Sequence, residues 1–257
     1  MGYAYGLGLA EVAPALFAAG ARVFFTALPD EAIALRALLP EAEIYVLDGL
    51  LPGAEADYRA HGLRPVLNSL EEIERHRTCA GATPLPAALH VDSGMCRLGL
   101  PDDEVAVLRR EPNRLAGVEL SYLLSHLACA DKPQHPMNAE QLAMLKSALT
   151  ALPRAPVSFC NSSGIFLGPS YHFDLARPGV ALFGVNPTPG QPNPMAQVVR
   201  LQGKILQVRE IDALRSVGYG AAFRAARPTR VATVAIGYAD GYLRSLSGRG
   251  RVWLGTA

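Results

Sequence analysis

Short, almost continuously apolar segments alternate with helical patterns over the first two thirds of this chain. The apolar segments predict seven strands, at residues 22–27, 43–47, 64–67, 89–92, 118–125, 157–160 and 173–176. Segments with the helical period predict helices at residues 9–19, 30–39, 70–77, 102–110 and 138–149. Strands that lack an alternation of apolar and polar residues are typical of a parallel sheet buried on both faces.

The alternation of strand and helix predicts an α/β fold, and the number of strands indicates a (β/α)8 TIM-type barrel. Seven strands are one short of a closed barrel, and residues 1–8 leave no room for a strand before the first helix. We therefore expect a barrel that lacks its first strand, with that strand upstream of this chain.

The pattern changes after a proline-rich stretch at residues 187–194, which is typical of a linker between domains. Beyond it the segments are strand-like, at residues 198–208, 216–219, 230–236 and 251–254. We expect residues 1–186 to form the barrel and residues 187–257 to form an incomplete C-terminal β-domain.

Composition excludes several classes of function. A formal net charge of +1 over 257 residues does not provide the concentrated basic surface of a nucleic-acid-binding protein. No run reaches the roughly 18 apolar residues of a membrane span, and the N-terminus lacks the regions of a signal peptide. Four scattered cysteines without a CxxC pair are typical of reduced thiols in the cytoplasm. His126 and Cys129 lack a second ligand pair, so no metal site is predicted.

Residues 176–184 combine an arginine with a Pro-Gly start to a short apolar helix. Backbone N–H groups at such a helix start can hold a phosphate while the Arg177 guanidinium reaches an acceptor on the same ligand. Asn161 and Ser162 lie just upstream, in a loop where barrels commonly bind a phosphate. Two structural interpretations stay open here: Arg177 pairs with Asp174 at the surface, and Asn161 and Ser162 begin a helix.

Seven motifs resemble, in their order and spacing, those of the alanine racemase family. They are AYGLG at 4–8, HVDSGMCRLG at 90–99, SHLA at 125–128, NSSG at 161–164, RPGV at 177–180, VGYG at 217–220 and GYADG at 237–241. The resemblance implies an enzyme dependent on pyridoxal 5'-phosphate (PLP) that interconverts L- and D-alanine for peptidoglycan precursors. It also implies a cytoplasmic homodimer.

The resemblance implies two sets of contacts to PLP. Arg177 donates a hydrogen bond to the pyridine nitrogen, and that nitrogen stays unprotonated because arginine keeps its proton. The ring is then a weak electron sink, which suits racemisation better than transamination. The phosphate-binding residues that the resemblance implies are Tyr5, Asn161, Ser162, Gly179 and Val180.

The catalytic residues implied by the resemblance are Tyr219, Arg97 and His126. Tyr219 acts as a base on the substrate bound by the other subunit, and it needs cationic neighbours because a phenol titrates near pH ~10. Arg97 holds the substrate carboxylate, and His126 bridges towards Arg177. His90 stands where many members have a carbamylated lysine that positions Arg97, which leaves the support of Arg97 open.

The start of the chain departs from the family motif. Met1 occupies the position of the lysine that forms a Schiff base with PLP, and Lys132, Lys146 and Lys204 lie elsewhere in the sequence. We therefore expect an alanine racemase chain that is truncated at both ends and whose own activity is impaired. Two alternatives stay open: a racemase for another amino acid, such as serine or of broad specificity, and a non-catalytic PLP-barrel relative.

Overall fold

The computed structural model describes residues 2–80 and 83–255. The chain forms two compact units, Met1–Val198 and Val199–Ala257, which divide shortly after the proline-rich stretch. The domain boundary at residues 186 and 187 stays a prediction.

The first unit contains a six-stranded parallel sheet. Its strands are β1 (Val23–Thr26), β2 (Glu43–Val46), β3 (Arg64–Leu67), β4 (Leu85–His90), β5 (Val118–Leu124) and β6 (Val157–Ser158). Neighbours in the sheet follow the order of the chain, and every pair is parallel. Sequential parallel strands joined by helices are the arrangement of a TIM-type barrel, so the predicted fold class is confirmed.

Seven α-helical segments belong to the first unit. They are α1 (Gly2–Tyr5), α2 (Leu9–Ala18), α3 (Pro29–Leu38), α4 (Glu55–His61), α5 (Leu70–Ala80), α6 (Asp102–Arg110) and α7 (Met137–Leu149). The segment α1 is a single left-handed turn, with φ between 47° and 60°. Five of the others correspond to predicted helices, and α4 was not predicted because it is short and buries only Tyr58.

The sheet is buried on both faces, as predicted. One face packs against the helices in a large apolar cluster that includes Ile44 and Val46. Tyr45 lies between them in sequence and belongs to a second cluster with Val66 and Leu124. Consecutive residues of one strand therefore enter two different cores, which explains why the strands show no polar alternation.

The predicted strand at residues 173–176 is wrong. Phe173 has a left-handed φ of 50° and forms only an isolated antiparallel bridge with Ser158. The next two N–H groups, of Asp174 and Leu175, both donate to the carbonyl of Val157, at 2.9 and 3.2 Å. The segment therefore runs beside β6 without a regular ladder, and the sheet has six strands in place of the predicted seven. A second correction concerns β4, which starts at Leu85 and not at residue 89.

The second unit consists of two antiparallel pairs. β7 (Ile205–Ile211) pairs with β10 (Thr229–Val234), and β8 (Ser216–Val217) pairs with β9 (Phe223–Arg224). The predicted strand at 251–254 does not form, and the one at 198–208 starts at Ile205. Within the described ranges of the chain, no helix is both long and apolar enough to cross a membrane.

Candidate active site

The candidate site lies where the strands of the first unit end. His90 is the last residue of β4, Ser125 and His126 follow β5, and Ser158 ends β6. Parallel strands present their carboxyl ends at one edge of a sheet, so these side chains meet although they are far apart in sequence. Arg177 follows the irregular segment beside β6 and reaches into the same place.

The Arg177 guanidinium is fixed by three neighbours. Nη1 donates to Ser158 Oγ at 2.5 Å, and Nη2 donates to the carbonyl of Ser125 at 2.6 Å and lies 3.3 Å from His126 Nδ1. Burial lowers its pKa to about 10, so it stays protonated at neutral pH. The predicted alternative, a surface pair with Asp174, is wrong: the guanidinium is bound by Ser158, Ser125 and His126, and it forms no ion pair with Asp174 among the described residues. The Asp174 carboxylate accepts the N–H of Val157 at 2.7 Å.

The contact with Arg177 also fixes the protonation of His126. An arginine can only donate, so His126 Nδ1 is the acceptor and the proton of the neutral ring sits on Nε2. Burial and the charges of Arg177 and Arg97 lower the pKa of His126 to about 3. His126 is therefore a neutral ring whose Nε2–H is available as a donor.

A small cradle of N–H groups lies next to Arg177. Ser162 Oγ accepts the N–H of Gly179 at 2.8 Å and that of Ala181 at 3.3 Å. The hydroxyl of Tyr5 accepts the N–H of Val180, and burial raises the pKa of that phenol, which keeps its proton at neutral pH. Two hydroxyls and three N–H groups thus converge where a phosphate was predicted.

Gly179 is required for this close approach. Its φ of −124° is not left-handed, and the requirement argued here is the space around its Cα. A Cβ at this position would overlap the Tyr5 hydroxyl and lie 3.1 Å from Tyr5 Cζ. The Tyr5 ring packs against Phe183, with 5.4 Å between the ring centroids. The turn that carries Tyr5 is anchored by the Tyr3 N–H, which donates to Glu31 at 3.0 Å.

A cavity of about 480 Å³ opens beside these groups. Tyr5, His126, Arg177 and Gly179 are among the residues that line it, together with apolar side chains of α2 and β1 and with residues of α3 and of the turn at 182–183. Lys132, Lys146 and Lys204 are not among the described residues that line it. The predicted role of Met1 lies outside the described residues.

Three predicted site residues lie outside this cluster. Asn161 donates to the carbonyl of Leu127 at 3.2 Å and accepts the N–H of Gly164 at 2.9 Å, so its side chain begins the next turn. Arg97 is exposed and makes no hydrogen bond or ion pair with any residue that the structure describes. Tyr219 belongs to the second unit, where its side chain is fully exposed at the start of a 3-10 turn.

Sequence reasoning missed the residues that hold the site together. Ser125 and Ser158 bind Arg177, and the signal for them was a small polar residue at the end of an apolar strand. Gln141, which is 1% exposed, donates to the carbonyl of His126 at 2.9 Å and accepts the N–H of Ala128 at 2.9 Å. A glutamine in a helix carries no sequence signal for that contact.

Acidification should destabilise the first unit because burial keeps His90 and His126 neutral, and His76, whose pKa burial also lowers, adds to the effect. A free histidine has a pKa near ~6.5, whereas the folded pKa of His126 is about 3 and that of His90 is about 4. The stabilisation is complete above the unfolded pKa and is lost as the pH falls towards the folded values. Between pH 7 and pH 5, protonation of each ring in the unfolded chain should lower the free energy of unfolding, measured with urea, by about 1–2 kcal/mol. The variant with His90 and His126 both changed to asparagine should lose the part of this dependence that these two rings cause, and an unchanged pH dependence would contradict the explanation.

Comparison with known proteins shows what this chain is similar to. A family model for the N-terminal domain of alanine racemase matches residues 2–187, and one for its C-terminal domain matches residues 198–257. A catabolic alanine racemase of Agrobacterium fabrum is 52% identical over 97% of this chain, and an alanine racemase of Rhodospirillum rubrum is 52% identical over 96%. The chain spans 65% of the length of the first relative and 67% of the second.

The fold has close matches among solved structures. An alanine racemase of Bartonella henselae with covalently bound pyridoxal phosphate superposes with a TM-score of 0.88 at 44% identity. That match covers 95% of this chain and 69% of the other. The biosynthetic alanine racemase of Pseudomonas aeruginosa superposes with a TM-score of 0.86 at 34% identity.

Proposed function

Since the chain belongs to the alanine racemase family, we propose that its first unit supplies the cofactor-binding groups of a PLP-dependent enzyme that racemises alanine. The enzyme acts as a cytoplasmic homodimer. The observation that carries the proposal is that Arg177, Tyr5 and Gly179 line one cavity, with Ser162 bound to the Gly179 N–H. A molecule that carries both a phosphate group and a ring nitrogen needs an anion-binding cradle for the first and a hydrogen-bond donor for the second, side by side.

The donors left on Arg177 fit a pyridine nitrogen. A guanidinium has five N–H groups, and three contacts to Ser158, Ser125 and His126 leave Nε–H and one Nη1–H without a partner among the described residues. Arg177 is among the residues that line the cavity. Because Arg177 stays protonated, it holds the ring nitrogen as an acceptor.

The cradle fits a phosphate because its members can turn towards an anion. The hydroxyls of Ser162 and Tyr5 now accept N–H groups of Gly179 and Val180, and each still carries a proton to donate. A phosphate in this place would accept hydrogen bonds from the two hydroxyls. It would also be stabilised by the partial positive charge at the N-terminal end of the turn. When bound, PLP supplies the electron withdrawal that makes the substrate Cα–H acidic.

The remaining roles are carried by residues of this chain that lie outside the cradle. Arg97 binds the substrate carboxylate from the loop after β4, and its exposure leaves it accessible to a ligand. Tyr219 of one copy moves a proton at Cα in the site of the other copy. His126 keeps Arg177 in place through Nδ1 and presents Nε2–H towards the cavity.

The covalent link seen in the Bartonella henselae relative requires an amine. Within residues 2–80 and 83–255 no lysine lines the cavity, so we propose that this chain by itself holds PLP without a covalent bond. The relatives are longer, and the sequence that flanks the matched region in them is the natural source of that amine.

The activity is testable in a chimera. The flanking sequences of the Agrobacterium fabrum relative are joined to both ends of this chain, and formation of D-alanine from L-alanine is measured, with L-serine for comparison. We expect alanine racemisation, and we expect Tyr219→Phe to reduce the exchange of the Cα proton of L-alanine at least about fivefold more than that of D-alanine.

Tyr242→Phe is the control, because it removes a tyrosine hydroxyl of the same unit. Tight PLP binding without turnover of either amino acid would favour the non-catalytic alternative. A preference for serine over alanine would favour a racemase of different specificity. Equal effects of Tyr219→Phe on both enantiomers would remove Tyr219 from its proposed role.

A further inference from the structure

A single buried side chain of α7 takes the place of a strand partner for the loop that follows β5. At the end of β5, Ser125 N donates to the carbonyl of Ser158 at 3.1 Å. Beyond it, Gln141 Nε2 donates to the carbonyl of His126 and Gln141 Oε1 accepts the N–H of Ala128, both at 2.9 Å. A carboxamide carries the same donor and acceptor as a peptide group, so it can satisfy this backbone where the sheet ends.

These two contacts determine the orientation of the Gln141 amide. If the amide were turned over, its oxygen would face the His126 carbonyl oxygen and its NH2 group would face the Ala128 N–H, so only this orientation satisfies both neighbours. Gln141 is 1% exposed, so water has no access to replace either partner. Removal of the amide would therefore leave a carbonyl and an N–H of the loop without these hydrogen bonds.

The same amide also lies against the loop that follows β4. Gln141 Nε2 is 3.4 Å from Ser93 Oγ, and Ser93 Oγ is 2.6 Å from Ser125 Oγ. A Cβ on Gly94 would lie 3.7 Å from Gln141 Cγ, so the backbone of that loop passes close to this side chain. Ser93 and Ser125 are each 1% exposed. One buried polar cluster therefore joins α7 to the loops after β4 and β5.

The position of the His126 ring depends on the backbone that Gln141 holds. Its Nδ1 lies 3.3 Å from Arg177 Nη2, at the long end of hydrogen-bond distances, so a small displacement of the loop would break the contact. The other two contacts of Arg177, to Ser158 Oγ and the Ser125 carbonyl, are shorter, at 2.5 and 2.6 Å. The contact with His126 is therefore the one most sensitive to the support from α7.

We propose that Gln141 is a positioning residue: its carboxamide fixes the loop after β5 so that His126 holds the Arg177 guanidinium in the orientation that receives the cofactor ring. The hydrogen bonds of Gln141 are properties of this chain, and only their purpose towards the cofactor rests on the proposed function. Gln141 is not among the described residues that line the cavity, so it acts through His126 and not by contact with the ligand. Because Ser93 lies against the same amide, the loop after β4 is tied to the same point.

Nitrogen NMR of the full chain with labelled histidine tests the positioning without turnover. Gln141→Met keeps the length of the side chain and removes its donor and its acceptor. At pH 7 we expect the His126 Nδ1 resonance to lose the shift that hydrogen bonding to Arg177 causes. Leu145→Ala is the control, because it opens a cavity in the core one turn further along α7 and removes no hydrogen bond of the loop. A His126 resonance that is the same in the two variants would overturn the proposal.

A second variant, Gln141→Glu, separates the hydrogen bonds from the packing of the side chain. At pH 5 a buried carboxyl keeps its proton, so it can donate to the His126 carbonyl and accept the N–H of Ala128. We expect this variant to retain most of the His126 signal at pH 5, whereas Gln141→Met loses it. Equal loss in both variants at pH 5 would contradict a role that depends on the donated hydrogen bond.

Equilibrium dialysis of the full chain tests the purpose towards the cofactor. Gln141→Met should weaken the binding of PLP about fivefold to tenfold and leave the binding of inorganic phosphate unchanged. The reason is that the hydrogen bonds of Gln141 in the described part of the chain go to Ser93, His126 and Ala128 and not to the cradle. Equal weakening of both ligands would overturn the role towards the cofactor ring. No binding of PLP by the unchanged chain, together with the expected NMR result, would refute the proposed function and still support the positioning of His126.

Discussion

Replacing Gly179 with alanine should weaken the binding of PLP by about 2 kcal/mol, or roughly thirtyfold, because hydrogen bonds to a charged group are worth about that much. The new methyl group would overlap the Tyr5 hydroxyl and displace it from the Val180 N–H. The cradle then loses one donor and part of its space. Equilibrium dialysis with PLP and with inorganic phosphate measures the effect on each.

Two companion variants separate the steric cause from general damage. Gly237→Ala is the matched control, since a Cβ there would have no atom within 4 Å. Tyr5→Phe removes the hydroxyl that the new methyl group would strike, so the double variant should be less impaired than the sum of the single variants. Strict additivity, or unchanged PLP affinity in Gly179→Ala, would mean that the phosphate does not bind at this cradle.

Replacing Arg177 with methionine should destabilise the first unit by about 2–4 kcal/mol, because it leaves a buried carbonyl and a hydroxyl without their donor. The orphaned groups are the carbonyl of Ser125 and Oγ of Ser158. The same change removes a positive charge that holds the pKa of His126 down, so that pKa should rise. Urea unfolding and the titration of His126 by NMR measure the two effects.

Lysine at position 177 keeps the charge but not the planar fork. Arg177→Lys should bring the pKa of His126 back close to its value in the unchanged chain. It should restore less of the free energy of unfolding, because one ammonium cannot reach three acceptors in fixed directions. Arg154→Met, at an exposed position, is the control for removal of an arginine. An unfolding midpoint that is the same in Arg177→Met and Arg154→Met would contradict the role assigned to Arg177.

The elements that were predicted well are those whose signals are local. The helix α6 has the predicted bounds, because acidic residues fill its first turn, arginines fill its last turn, and Val105 and Leu108 mark its buried side. The segment at 173–176 failed because the left-handed φ of Phe173 depends on its packing against Phe159, which no local pattern reveals. The strand alternation nevertheless determined the class of fold.

The same distinction between local signals and long-range contacts applies to the candidate site. The cradle of N–H groups was predictable because a Pro-Gly turn has a local meaning, and the structure brings Tyr5, Ser162 and Gly179 together there. That the cradle binds a phosphate stays a prediction. The partners of Arg177 were not predictable, because Ser125 lies 52 residues away in sequence. His90 Nδ1 lies 2.8 Å from the amide oxygen of Asn68, 22 residues away in sequence, and only the fold shows that contact.

The role proposed for Arg177 would make cofactor loading and folding a single linked equilibrium. Its guanidinium joins the end of β5 to the end of β6, and we propose that the same group receives the cofactor. A ligand that binds only the folded chain stabilises it in proportion to the logarithm of its concentration, by about 1.4 kcal/mol for each tenfold excess over Kd. Cells that are short of the precursor of PLP would therefore contain less folded protein as well as less cofactor-bound protein.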